Sequence, residues 1–185
     1  MFHTKIGRGF LVLAVLAAGC LLLGTTGTGA QEIKPPIVEK PYAKVKGIDP
    51  AVTALAVKVT KKLTAFEAEI EIIGVVRNIG TEDFRSGNGQ QSAQLYEENP
   101  GARPRLVAEK AFSVLKSGEF FVVKYGRRWS TSMEFPPTYR LMLSYDPDIY
   151  IDGNKRNDDV NSKNNRKTLT GTVITEQVRK EIGAK

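Results

Sequence analysis

From Phe66 to Val76 the chain alternates. Phe66, Ala68, Ile70, Ile72 and Val76 put apolar side chains on one face, and Glu67, Glu69 and Glu71 occupy the other. A period of two is the signature of a half-buried strand, because successive side chains point to opposite faces. Ile73 and Val75 make the second face apolar as well, so this strand ends between two layers. Leu55, Val57 and Val59 alternate with Ala56, Lys58 and Thr60, and Tyr139, Leu141, Leu143 and Tyr145 with Arg140, Met142 and Ser144. The run from Phe120 to Tyr125 is nearly continuous and aromatic-rich, as in a core strand, and Leu169 to Thr175 is a last β-rich run. The pattern predicts about seven strands: 52–60, 66–78, 92–97, 105–113, 119–127, 138–145 and 168–175. Turn signals separate them at Gly87-Asn88-Gly89, Asn99-Pro100-Gly101, Ser117-Gly118, Pro136-Pro137 and Asp152-Gly153. Short strands punctuated in this way predict an all-β, antiparallel β-sandwich. Mid-strand positions on the apolar face, Ile72 and Leu141 among them, are expected in its core.

The first thirty residues read differently. Lys5 and Arg8 form a positive n-region, Phe10 to Leu23 an apolar stretch of fourteen, and Thr28-Gly29-Ala30 a small-x-small cleavage site. Fourteen apolar residues fall short of the roughly 20 that a spanning helix needs. The expectation is a signal peptide over 1–30, cleaved after Ala30, with the exported protein in the periplasm or secreted. A competing pattern, Ala17-Ala18-Gly19-Cys20, resembles a lipoprotein box anchored at Cys20. It is disfavoured because Leu16 sits one place too far from the cysteine and Leu21-Leu22-Leu23 continues the apolar core. Residues 31–48, with Lys34-Pro35-Pro36, Lys40-Pro41 and Gly47, read as a Pro-rich tether. A domain of 49–176 follows, then a polar C-terminal tail over 177–185.

Processing changes the charge and the available chemistry. The whole chain carries 27 basic and 20 acidic residues. Loss of Lys5 and Arg8 leaves 25 basic residues, for a net +5. Loss of His3 and Cys20 removes the only histidine and the only cysteine. Ser-His-Asp and Cys-His catalysis, His-Cys zinc sites and thiol chemistry are thereby excluded from the mature chain. No nucleotide-binding or GxSxG fingerprint is present. A charge of +5 without a recognition motif gives no support to nucleic-acid binding. A carboxylate-pair hydrolase remains as an alternative, but Glu67, Glu69 and Glu71 read as the solvated face of one strand.

Three short motifs carry more. Val75 to Phe84, VVRNIGTEDF, looks like a strand running into an Asn-x-Gly turn. Leu115-Lys116-Ser117-Gly118-Glu119 is a leucine followed, two residues later, by Gly-Glu. Asp146 to Asn165 is a polar loop dense in Asp and Asn. In this order they resemble the CARDB family, the cell-adhesion-related, immunoglobulin-like domains of bacterial envelope and surface proteins. The resemblance spans 49–176. It implies an immunoglobulin-like sandwich and a non-enzymatic binding or adhesion module, with an envelope protein or cell-surface polymer as partner and no transmembrane span in the mature chain. It also implies that Asn164-Asn165 marks re-entry into the last strand and ties the loop to the sheet end. The loop after Ile149 is longer than the family's usual form.

Two sets of side chains are candidate sites. Asp146, Asp148, Asp152 and Asn154, with Asp158, Asp159 and Asn161 beyond them, offer the hard oxygens that Ca²⁺ takes. Their spacing is not that of an EF-hand: Tyr150 stands where a third ligand would fall and Gly153 comes late. Lys155, Arg156, Lys163 and Arg166 add positive charge. The plainer expectation is that these side chains cap their own turns. The second set is Arg127, Arg128 and Trp129, beside Lys124, which together have the chemistry to stack on a sugar or meet an anionic polymer; the plainer expectation is that Trp129 is a core or edge residue at a strand end and the arginines are solvated. The alternative functions are thus a calcium- or carbohydrate-binding module using 146–165.

Overall fold

A computed structural model describes residues 44–146 and 148–183. The expected signal peptide, its cleavage site, Cys20 and most of the Pro-rich tether lie outside the described residues. The strands, in chain order, are β1 (Pro50–Lys62), β2 (Glu67–Asn78), β3 (Phe84–Arg85), β4 (Gln91–Glu98), β5 (Arg105–Ala111), β6 (Val114–Leu115), β7 (Phe120–Ser130), β8 (Thr138–Tyr145) and β9 (Arg166–Leu169). A 3-10 turn, Ser162–Asn164, precedes β9, and a helix, α1 (Gly171–Ile182), follows it.

The strands form two main antiparallel sheets, ordered β1-β2-β7 and β5-β4-β8-β9, with β3 and β6 pairing as a small third. The architecture is an antiparallel, immunoglobulin-like β-sandwich. Register follows the alternation read in the sequence. Ile72 sits opposite Val57 on one side and Tyr125 on the other, and Leu95 opposite Leu141. Ile70, Ile72 and Val76 from one sheet meet Ala93, Leu95, Tyr139 and Leu141 from the other in a single core. Ile73 and Val75 are also buried, on the second face of β2. Gly74 between them makes room: a Cβ there would stand 2.3 Å from a methyl of Leu141. At the edge of the four-stranded sheet, β5 is mostly exposed, and its pairing with β4 is interrupted by a bulge between Leu95 and Tyr96.

Three expectations need correction. The last strand, expected over 168–175, ends at Leu169, and Gly171 onward is helical. The polar tail expected over 177–185 is helix as far as Ile182. The β-branched run Thr172-Val173-Ile174-Thr175 mimics a strand locally. The stripe that decides, Ile174, Val178 and Ile182, has helical spacing, and all three are buried. Thr170 caps the start by accepting from the Val173 N–H, and Gly183 closes the end with φ 71°. Gly171 has no alternative, since a Cβ would lie 2.4 Å from the Pro136 carbonyl oxygen. The helix is held by Trp129 Nε1 donating to Thr175 at 3.2 Å, Gln177 to the Val57 carbonyl at 2.9 Å and Arg179 to the Thr131 carbonyl at 2.7 Å. Second, Phe66, assigned to the apolar face, precedes β2 and is exposed. Third, the end of the tether segment joins the fold: Val45 bridges Gly80, and Ile48 is buried and bridges Asp159. Among the described residues no helix is long and apolar enough to cross a membrane.

Candidate functional site

The Asn-x-Gly turn and the Leu-x-x-Gly-Glu step, far apart in sequence, meet in space. Asn78 ends β2 with its side chain fully buried. Its Oδ1 accepts from the Asp49 and Gly80 N–H groups at 3.3 and 3.0 Å, and its Nδ2 donates to the Glu82 and Leu115 carbonyls at 2.8 and 2.9 Å. The backbone completes the junction: Asn78 N–H donates to the Glu119 carbonyl and Gly118 N–H to the Asn78 carbonyl. Ser117 donates its hydroxyl to the Gly80 carbonyl, and its N–H goes to Asp83. This knot anchors the start of β1, directly beside the 146–165 loop.

The loop closes over the end of β8. Ile149 is buried beneath it, while Tyr150, Ile151 and Val160 are exposed. A cleft of about 550 Å³ lies between loop and strand, lined among others by Met142, Tyr145, Tyr150, Lys163 and Arg166. Among the described residues, Asp146, Asp148 and Asp152 do not form a group of carboxylates placed to hold a metal ion. Asp148 Oδ1 accepts from the Tyr150 N–H at 3.0 Å, Asp152 Oδ1 from the Asn154 N–H at 2.7 Å, and Asn154 Oδ1 from the Arg156 N–H at 3.2 Å. These are side chains capping their own turns, the plainer of the two expectations. Asp152 Oδ2 is taken by Asn157, and Asn154 Nδ2 ties the loop to the Arg85 carbonyl. Asp146 is exposed, and its N–H donates to Gln90.

Deeper in, the loop meets the start of β1 through residues outside that first list of ligands. Asp159 and Asp49 are both buried. Asn165 Nδ2 donates to Asp159 Oδ2 at 2.6 Å, and Asn164 Nδ2 to Asp49 Oδ1 at 2.9 Å. The Asn164-Asn165 pair thus stands immediately before β9 and ties the loop to the sheet end. Tyr150 hydroxyl donates to the Asp159 carbonyl at 2.7 Å. Burial pushes both carboxyls above the usual range; for Asp49 the neighbouring Asp159 charge adds to it. Burial likewise raises the Tyr145 hydroxyl. Asp49 lay in the sequence as an ordinary pre-proline turn residue, with no local sign that it packs against the loop 110 positions later.

Arg127, Arg128 and Trp129 are not gathered into one contact. Period two separates them: Trp129 is fully buried in the core, and Arg128 points to the other face and pairs with Glu67. Glu71 pairs with Lys124 at 3.0 Å, so two of the three strand carboxylates are in ion pairs with β7. Arg127 lies over the Trp129 ring at 5.4 Å and pairs with Glu97. Glu97 is the centre of a clamp between the sheets. It accepts from Arg105 at 2.9 Å, from the Tyr139 hydroxyl at 2.6 Å and from Arg127. Burial pushes the Glu97 carboxyl up, but Tyr139, Arg105 and Arg127 together outweigh it and hold it at about 2. A carboxyl lowered from 4.5 to about 2 in the folded state contributes stability that is complete above 4.5 and is lost as pH falls toward 2. Discounted for the exposed Arg105, that is about 2–3 kcal/mol. Denaturant unfolding from pH 7 to pH 2.5 should show wild type losing about this much more than Glu97→Gln; parallel losses would mean the clamp carries no net charge effect.

The fold and this loop end define the protein as a β-sandwich module with a cleft at one pole. No family model and no curated protein matches the chain. Among solved structures it is similar to the CARDB domain of a Pyrococcus furiosus protein, at 16% identity over 68% of this chain and 94% of that one, with a TM-score of 0.36. It is also similar to part of β-glucosidase 3B from Thermotoga neapolitana, at 14% identity and TM-score 0.30, covering 66% of this chain and 15% of the glucosidase. A Bacillus subtilis protein described as a candidate lipoprotein matches at 10% identity and TM-score 0.32, over 75% of this chain and 42% of that one.

Proposed function

We propose that this is an exported, non-enzymatic binding module of the bacterial envelope. It meets its partner, an envelope protein or a cell-surface polymer, at the 146–165 pole. The leader-like first thirty residues support export. The observation that carries the contact site is the cleft at the end of β8: Met142 and Tyr145 line it, Lys163 and Arg166 bring positive charge, and Tyr150, Ile151 and Val160 stand exposed on the same loop. Sites of this kind join apolar area to a few fixed polar groups, and loops on a rigid sandwich are where contact residues gather.

The test is co-sedimentation of the purified protein with isolated cell-wall polymer and with envelope membranes. Replacing Ile151 and Val160 by Ser should cut binding at least fivefold while moving the melting temperature little, because both side chains are exposed and apolar and hold no hydrogen bond. Binding that the double variant leaves unchanged would move the contact elsewhere, and no binding to either fraction would defeat the reading.

A further inference from the structure

We propose that Asp49, Asp159, Asn164 and Asn165 form a calcium site that locks the 146–165 loop onto the start of β1. The first observation is placement. Ile48 and Asp159 form a parallel bridge, with Val160 N–H donating to the Ile48 carbonyl at 2.9 Å, so the two acids sit on adjoining backbone segments. Asn164 then reaches Asp49, and Asn165 reaches Asp159. The four side chains form one knot that neither segment builds alone.

The second observation is what the knot leaves over. Asp49 Oδ2, Asn164 Oδ1 and Asn165 Oδ1 are buried without any donor. Asp49 is 0% exposed and Asn165 8%. Buried polar atoms are nearly always paired, and each one left unpaired costs about 1–3 kcal/mol. Here three oxygens from one knot lack donors together. Both amides have already spent a donor on a carboxylate, which leaves their carbonyl oxygens as the free ends. Among the described residues no lysine or arginine pairs with either acid. A divalent cation would satisfy all three oxygens at once.

The donor set names the ion. Two carboxylates and two amide carbonyls are all hard oxygens, with no nitrogen or sulfur, and two negative charges match a divalent cation. Calcium takes roughly six to eight oxygens in a flexible shell that backbone carbonyls or water can complete, whereas magnesium demands a strict octahedron and holds its waters. Two carboxylates make a weak site, in the range of roughly 0.1–1 mM typical of extracellular modules. The site is distinct from the turn caps at Asp148 and Asp152, although Asp159 Oδ1 also accepts from the Asn161 N–H at 2.9 Å, and it abuts the cleft of the proposed contact, which Asn165 and Tyr150 line.

The rival account is a proton shared between the two acids, with no ion. Terbium separates the two, since it takes calcium sites and is sensitised by nearby tyrosine; Tyr145 and Tyr150 both touch Asp159. Titrating the purified protein with terbium should give tyrosine-sensitised emission that calcium displaces. The emission should persist in Asp148→Asn and vanish in Asp159→Asn and Asp49→Asn. Calcium at about 10 mM should raise the wild-type melting midpoint by a few degrees over chelator, and magnesium by much less. The wild-type melts stand even if an Asp variant fails to fold. No emission and no calcium shift in wild type would overturn the site in favour of the shared proton; emission that survives Asp159→Asn, or that Asp148→Asn abolishes, would overturn its location.

Discussion

Asn78→Ala should lose about 4 kcal/mol or more, close to the whole margin of a domain whose stability is about 5–15 kcal/mol. The side chain makes four hydrogen bonds, and all four partners are backbone groups. Truncation strands the N–H groups of Asp49 and Gly80 and the carbonyls of Glu82 and Leu115. Each buried group left unpaired costs about 1–3 kcal/mol, less whatever water recovers. Nor can the site collapse: a Cβ on Gly80 would stand 2.2 Å from the Gly47 carbonyl oxygen, so the backbone there is already in contact. Asn78→Asp tests the direction of the bonds, because it turns an oxygen toward two carbonyls and should also destabilise. Asn88→Ala, in an exposed turn, is the control and should stay within about 0.5 kcal/mol. Chemical denaturation of the three variants decides it. A loss under about 1 kcal/mol for Asn78→Ala would mean that the knot is not what joins β1, β2 and β6.

Leu141→Ala and Ile72→Ala should each cost about 2–5 kcal/mol, the range for deleting a buried aliphatic side chain. Both are fully buried and face each other's sheets across the core. Leu141 also offers a sharper test. Its methyl occupies the space that Gly74 leaves open, so Gly74→Ala overpacks the contact and should cost about 1–3 kcal/mol. In a Leu141→Ala background that overpacking disappears, and the double variant should be markedly more stable than the sum of the two losses. Coupling of at least about 0.5 kcal/mol is expected for residues in contact. Strict additivity would show that the sheets do not meet at this point.

What the sequence disclosed, and what it hid, divides along the range of the interactions. Period-two alternation is local and strong, so β2, β4 and β8 fall within a residue or so of their expected bounds. Two-residue strands have no period, so β3 and β6 leave no local signal; they pair with each other, with buried Phe84 opposite buried Leu115 in the ladder. The helix was hidden by composition. Thr172 to Thr175 favours strand by propensity, and only the burial of Ile174, Val178 and Ile182 against the sandwich end overrides it. The same limit applies to the sites. Turn-capping acids such as Asp148 and Asp152 act within a few residues, and their role was open to inspection. Asp49 and Asn164 act across 115 positions, and nothing near either announces the other. For Trp129 the sequence leaves two readings, a core residue at a strand end or a surface shared with Arg128; the pleat of β7 sends the two side chains apart and Trp129 into the core.

The bulged, exposed strand at the sheet margin bears on how this protein survives at high concentration. An unpaired strand is a template for another chain, and amyloid growth begins at such margins. Here β5 carries Arg105, Glu109 and Lys110 along an otherwise open ladder, and Arg105 is already engaged by Glu97 across the strand. The irregular register between Leu95 and Tyr96 bends the ladder that an incoming strand would have to match. Recruitment of a second chain would therefore have to desolvate charges and straighten a kink before it gained its first run of hydrogen bonds.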